Sequence, residues 1–269
     1  MVDFFIIGAV KAGTTSLHRY LAQHPSIEMS RVKWTRFFHV DGAEPDFRAL
    51  AQRYGSELLA ESVGRYRLMC NAGVPRTFEA YLDQWSKEPG KVLRGEAAPT
   101  YMYDEYACAR IKVRCPNAKI IMILRTPIQR ALSHYAMDLG NNWVPERRFI
   151  DAARAEPVRA DSFWWGLRHY LRHGFYARYL SRARDTFGTD NLKLMFYDDM
   201  VSAPRAFMDE IVDFLGVDRF EFDLSKWHNS APIAKPVLEK AELESLASLY
   251  QPEISQLQGM VGRDLRNWL

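Results

Sequence analysis

The stretch DFFIIGAVKAGTTSLHRYL, Asp3 to Leu21, constrains the fold more than any other part of the chain. Phe4 to Ile7 is a continuous apolar run, the pattern of a strand covered on both faces. It reaches Gly8, crosses a short polar loop and enters a helical pattern from Thr14 to Gln23. A strand that feeds a glycine-containing turn and then a helix aims several backbone N–H groups at one point, where the helix dipole adds positive potential. Gly8 and Gly13 have the spacing of a nucleotide-triphosphate loop, G-x-x-x-x-G-K-[ST], and Thr15 suits its last position. Thr14, however, stands where the lysine belongs, and the only lysine of the loop is Lys11. Two readings stand: a tight strand-to-helix connection capped by threonine, or a loop built for an anion other than a metal-bound triphosphate.

Two further apolar runs read as buried parallel strands, Lys119 to Leu124 and Asn191 to Tyr197, with Lys91 to Glu96 as a weaker fourth. Helical patterns fall between and after them, at Tyr103–Arg114, Pro127–Leu139, Phe175–Phe187 before Gly188, and Arg205–Leu215 before Gly216. Proline near a helix start and glycine just past its end are the expected punctuation. Alternating strands and helices predict an α/β fold, P-loop-like and three-layered, with a central mostly parallel sheet flanked by helices. Val40 to Pro89 and the tail after Trp227 read as helical or irregular. No linker divides the chain, so residues 1–269 are expected to form a single domain.

The strand Lys119–Leu124 runs directly into RTPIQRALSHY. In a P-loop phosphohydrolase a comparable strand ends in an aspartate that organises Mg²⁺. Here it ends in Arg125, a cation at the carboxyl end of a strand, where α/β ligands bind. Ser133 follows eight residues later, two helical turns on, placed to share a face with Arg130 or to sit near Arg125. An arginine capping the sheet edge is the plainer reading of Arg125 alone. Taken with the first loop, the two segments describe two anion sites on one sheet and no metal site.

The formal net charge of +3 over 269 residues is mild and argues against nucleic acid as a partner. Three cysteines, Cys70, Cys108 and Cys115, with no C-x-x-C, favour a reducing compartment over a disulfide framework. No apolar run approaches the roughly 18 residues of a membrane span.

With these features in hand, the sequence resembles the sulfotransferases that use 3′-phosphoadenosine 5′-phosphosulfate, in particular the heparan-sulfate type and its bacterial relatives. IIGAVKAGTTSL resembles their 5′-phosphosulfate loop and ILRTPIQRALSHY their 3′-phosphate motif. GEAAPTYM, RHGFYARYLSRARDTFG and MFYDDMVSAPRAFMDEIVDFLGV resemble further family blocks in the same order. The resemblance implies that Lys11 neutralises the bridging oxygen as the sulfuryl group leaves. It implies that Lys11, Ala12, Gly13, Thr14, Thr15 and Ser16 surround the 5′-phosphosulfate, and that Arg125 and Ser133 hold the 3′-phosphate. Lys235, in APIAKP, matches the basic loop that closes over the nucleotide; a solvated tail lysine is the alternative. The co-substrate implied is 3′-phosphoadenosine 5′-phosphosulfate, with the 3′,5′-bisphosphate as product and no metal.

Sulfuryl transfer still needs a base for the acceptor hydroxyl or amine. Carbohydrate-type relatives place it in K-E-x-x-F-F. Here the segment is KWTRFF, Lys33 to Phe38, and Trp34 occupies the glutamate position. Glu96 is the favoured substitute and is counted here as catalytic; His39 is a second candidate, and a chain without a strong base is the third. The aromatics of Asp161–Leu180 (Trp164, Trp165, Tyr170, Phe175, Tyr176), with Arg168, Arg172 and His173, either wall an acceptor site or fill a helix face. The expected partner is a saccharide, lipid or small-molecule acceptor, in a soluble cytoplasmic protein of bacterial type. The competing functions are a P-loop kinase or NTPase and a non-catalytic binder of the bisphosphate nucleotide.

Overall fold

A computed structural model of the chain describes residues 1–40, 75, 77–85, 93–104, 106–156, 169–226 and 233–269. Within them the elements run β1 (Phe4–Gly8), α1 (Thr14–Leu21), β2 (Ile27–Met29), α2 (Phe37–Val40), α3 (Phe78–Leu82), β3 (Leu93–Ala97), α4 (Ala107–Arg114), β4 (Lys119–Leu124), α5 (Pro127–Gly140), α6 (Phe149–Arg154), α7 (Ala177–Phe187), β5 (Leu192–Phe196), α8 (Tyr197–Ser202), α9 (Pro204–Leu215) and α10 (Lys240–Val261). Short 3₁₀ turns lie at Tyr101–Tyr103, Arg172–Gly174 and Arg266–Trp268.

The described strands form one sheet in the order β2-β3-β1-β4-β5, with every pairing parallel. This is the expected α/β architecture. Phe4 to Ile7 and Ile120 to Leu124 are wholly buried, which explains why both strands read as unbroken apolar runs. Helix α1 packs beside β2 and β3, while α7 and α9 pack on β5. The chain leaves β1 for one side of the sheet, returns in β3, and crosses to the other side in β4. Strand direction of travel therefore reverses about β1, and the carboxyl ends of β1 and β4 border the switch point where α/β sheets bind ligands.

Several ends shift by one or two residues, and three larger features depart from the sequence reading. Strand β2 was not expected; it is three residues long, follows Pro25 and pairs only with β3. The helix expected from Tyr103 begins at Ala107, because the Asp104 carboxylate accepts from the N–H groups of Tyr106 (2.7 Å) and Ala107 (3.1 Å) and fixes the start there. The helix expected from Phe175 begins at Ala177, where Glu253 of α10 accepts the Ala177 N–H at 2.6 Å. Most of Val40–Pro89, and Trp164, Trp165 and Arg168, lie outside the described residues. No described helix is long and apolar enough to cross a membrane.

Candidate active site

The loop between β1 and α1 is shaped by two left-handed residues. Gly13 (φ 87°) caps α1, and a Cβ there would come within 2.9 Å of Met200 Sδ and 3.3 Å of the Tyr197 ring. Glycine is thus required both by its backbone angle and by the close approach of α8. Lys11 is the other, at φ 67°, a conformation uncommon for a side chain with a Cβ. Its carbonyl accepts a hydrogen bond from Arg125 Nη1 at 2.9 Å, which helps hold it there. The first turn of α1 begins at Thr14 without a side-chain cap, so Thr14, Thr15 and Ser16 present their amides at the helix N-terminus.

Arg125 stands one residue past β4 and is 9% exposed. Its guanidinium stacks 4.1 Å from the centre of the Tyr197 ring, and its own carbonyl accepts from the Tyr176 hydroxyl at 2.7 Å. The two segments singled out in the sequence are therefore joined directly, Arg125 to Lys11. Lys235 joins them from the far end of the chain: exposed, it donates to Gln129 Oε1 in the first turn of α5 at 3.3 Å. Burial and the nearby charge of Arg125 both lower its pKa. Ser133 lies on the same helix, one turn before Met137, whose sulfur accepts from Lys11 Nζ at 3.4 Å. Arg130 is wholly buried and donates to the carbonyls of Tyr170 and His169, so it supports α5 from behind.

Lys11 carries the strongest electrostatic tension in the loop. Burial pushes its ammonium down to about 8, with Arg125 and Arg130 adding to the fall and Asp138 opposing it. A cation so desolvated is poised to gain from any anion placed beside it.

The acceptor side holds both the carboxylate and the imidazole named as candidate bases, Glu96 and His39, in hydrogen-bonded settings. Glu96 of β3 is fully buried. Oε1 accepts from the Thr35 N–H (3.1 Å), the Thr35 hydroxyl (2.6 Å) and the Tyr101 hydroxyl (3.1 Å), and Oε2 from the Tyr81 hydroxyl (2.8 Å). Burial raises its pKa against the pull of those donors. This geometry ties residues 35–38 to the sheet and encloses the carboxylate. His39 is likewise engaged. Its Nδ1 lies 2.6 Å from Asp104 Oδ2 and its Nε2 2.8 Å from Thr100 Oγ1, which also accepts the Trp34 indole N–H at 2.7 Å. The Asp104 carboxylate only accepts, so Nδ1–H donates to it, and Nε2 of the neutral ring then accepts from the Thr100 hydroxyl. Burial keeps His39 neutral by lowering its pKa, and the donors around Asp104 outweigh burial and hold that carboxylate low. The chain Asp104–His39–Thr100 thereby locks Trp34, with Arg36 stacked 4.2 Å from its ring centre.

Of the aromatics expected to wall an acceptor, Tyr170 and Tyr176 are wholly buried and brace the site from beneath. The Tyr170 hydroxyl donates to Asp138 Oδ2 at 2.8 Å, and His173 stacks on Tyr103 at 3.7 Å, whose hydroxyl accepts the Val10 N–H. Sequence reasoning missed Tyr197, Met137, Asp138 and Thr100. None sits in a spacing that marks it; each becomes visible only through a contact across the sheet.

Comparisons with known proteins follow the same lines. The sequence model of the sulfotransferase family matches residues 3–221. Human heparan sulfate glucosamine 3-O-sulfotransferase 6 is 26% identical over 238 residues, covering 88% of this chain and 58% of that protein. Mouse heparan sulfate glucosamine 3-O-sulfotransferase 3A1 is 24% identical over 283 residues, covering 96% and 62%. The chain thus spans about three-fifths of the length of these curated relatives. The crystal structure of a sulfotransferase from Alicyclobacillus acidocaldarius superposes with a TM-score of 0.80 at 26% identity, covering 100% of this chain and 98% of that one.

Proposed function

This chain belongs to the sulfotransferase family, and we propose that it is a transferase that moves a sulfuryl group from 3′-phosphoadenosine 5′-phosphosulfate to a hydroxyl or amine of a saccharide, lipid or small-molecule acceptor, residues 1–269 acting as one catalytic domain. The observation that carries this reading is the Arg125–Lys11 junction. A desolvated lysine inside the loop and an arginine at the end of the adjacent strand give two cationic centres for two anionic groups on one ligand.

The donor set fits such a ligand. Lys11, Ala12, Gly13, Thr14, Thr15 and Ser16 would hold the 5′-phosphosulfate through backbone and hydroxyl donors at the start of α1. Arg125 and Ser133 would hold the 3′-phosphate, with Lys235 closing from the side. When bound, the nucleotide supplies an activated sulfuryl group. Lys11 stabilises charge developing on the bridging oxygen, and a full ammonium in a water-poor site serves this purpose without a metal. Catalysis then rests on in-line positioning and charge stabilisation, as in phosphoryl transfer. The buried free thiols of Cys108 and Cys115 suit a cytoplasmic setting.

Thermal unfolding with 3′-phosphoadenosine 5′-phosphate or with ATP and Mg²⁺ tests the donor assignment. The bisphosphate is expected to raise Tm by several degrees at about 100 times its Kd, a gain of about 2.7 kcal/mol. A shift with ATP and Mg²⁺ alone would reverse the assignment.

A further inference from the structure

Trp34 supplies no base, Glu96 is enclosed by hydroxyl donors, and His39 has both ring nitrogens engaged. One basic side chain near the loop is differently placed. Lys33, half-buried, lines a cavity of about 730 Å³ with Thr15, His18 and Arg19 of α1, Arg31, and Lys226. Thr15 is part of the anion loop, so the cavity adjoins the proposed sulfuryl site. Lys33 makes no hydrogen bond or ion pair with the described residues. Its surroundings act on it through burial and through the charge of Lys11.

We propose that Lys33 is the group that takes the proton from the acceptor, an assignment that rests on the donor reading above. The charge of Lys11 reaches Lys33, and the environments of the two lysines differ. Lys11 has Asp138 acting on it, and that carboxylate raises its proton affinity. Lys33 has no such partner: burial, then Lys11, bring it down to about 8. The charge of Lys11 disfavours a second charge at Lys33, while the charges acting on Lys11 are those of Asp138, Arg125 and Arg130. In this assignment Lys11 keeps its proton and Lys33 works as the amine. The other groups facing Lys33 do not reverse this. His18 is pushed down to about 4, chiefly by burial, and is neutral at working pH. Arg19, Arg31 and Lys226 add only positive charge. Asp223, the carboxylate among the cavity's lining residues, is exposed and accepts from Ser225 N–H (3.0 Å) and Oγ (2.5 Å).

The step balances without a further reactant. The acceptor oxygen forms a bond to sulfur with its lone pair. The bond from sulfur to the bridging oxygen breaks, and its electron pair stays on the departing phosphate, beside the Lys11 ammonium. The acceptor proton passes to Lys33 Nζ and from there to water in the cavity. For an amine acceptor the same transfer starts from N–H. A base must be unprotonated to act, so turnover rises with pH through the Lys33 titration and falls again as Lys11 loses its proton. The anionic donor raises both titrations, so the rising limb with saturating donor lies above about 8.

The test uses the wild-type chain, Lys33→Arg and Lys33→Ala. Lys33 acetylation by limiting acetic anhydride is followed by mass spectrometry against pH in the donor-free protein. Binding of 3′-phosphoadenosine 5′-phosphate is followed by calorimetry. Turnover is read from labelled 3′-phosphoadenosine 5′-phosphosulfate with N-sulfated heparosan, 2-naphthol and water as acceptors. Lys33 is expected to react with a midpoint near 8, well below the ~10.4 of ordinary lysines. Both variants should bind the bisphosphate as the wild type does, and both should lose turnover by about 100-fold or more. The two variants are decisive together: arginine keeps a long side chain that cannot give up its proton, and alanine removes the amine without adding a charge. A Lys33 midpoint in the ordinary lysine range, or an arginine variant with near wild-type turnover, would overturn the assignment. If none of the three proteins binds the bisphosphate, the donor reading fails, and the acetylation midpoint still decides the state of Lys33.

Discussion

Lys11→Ala is expected to abolish sulfuryl transfer while leaving the protein folded. Removing one preorganised donor from a developing oxyanion lowers turnover by about 100- to 1,000-fold, and a full ammonium in this loop is expected to reach at least the upper value. The fold should survive because, among the described residues, the side chain makes one weak hydrogen bond, to the Met137 sulfur. The titration of Lys11 adds a second readout. Its pKa falls from 10.5 in the unfolded chain to about 8 in the folded one, so the unfolded chain binds more protons between those values. Stability of the donor-free wild type should therefore drop as pH falls through that window, and this Lys11 component should be absent from the alanine variant. Turnover within tenfold of wild type would remove Lys11 from the mechanism.

Arg125→Ala is expected to weaken binding of 3′-phosphoadenosine 5′-phosphate by about 100-fold, since charge-assisted hydrogen bonds contribute about 1.5–3 kcal/mol each. The loss should extend to turnover. Arg125 also donates to the Lys11 carbonyl, and without it the left-handed backbone at Lys11 loses a restraint. Arg125→Lys restores the charge but not the planar fork that reaches the carbonyl while stacking on Tyr197. It should recover only part of the affinity. Calorimetry on the three proteins checks this, and unchanged affinity in the alanine variant would place the 3′-phosphate elsewhere.

The parts of this architecture that depend on local pattern are legible in the sequence. β1, β4 and β5 are continuous apolar runs because both faces of the sheet are covered, and the β1–α1 loop declares itself through Gly8, Gly13 and Thr15. β2 is too short to show a period, and its strand character comes from pairing with β3 alone. The late start of α4 depends on the orientation of one side chain, Asp104. The acceptor side is harder still to read. Glu96 looks available in GEAAP, yet Thr35, Tyr81 and Tyr101 converge on it from separate segments. Trp34 looks like a lost carboxylate, yet it is held by a hydrogen-bonded chain that begins at Asp104. Lys33 is marked in the sequence only as the first position of the K-E-x-x-F-F pattern, with no sign of a role as base; its distinction lies in the charge of Lys11 acting on it while Asp138 acts on Lys11. Charge coupling between residues on different elements leaves no spacing to read.

The most direct test of the account is transfer itself. The purified chain is incubated with labelled 3′-phosphoadenosine 5′-phosphosulfate and a panel of saccharides, phenols, alcohols and amines, and the products are read by mass spectrometry. The account predicts an acceptor heavier by one sulfuryl group, formed in equal amount with 3′-phosphoadenosine 5′-phosphate and lost in Lys11→Ala. Tight binding of the bisphosphate with no transfer to any acceptor or to water would contradict it and leave a nucleotide-binding protein without catalysis.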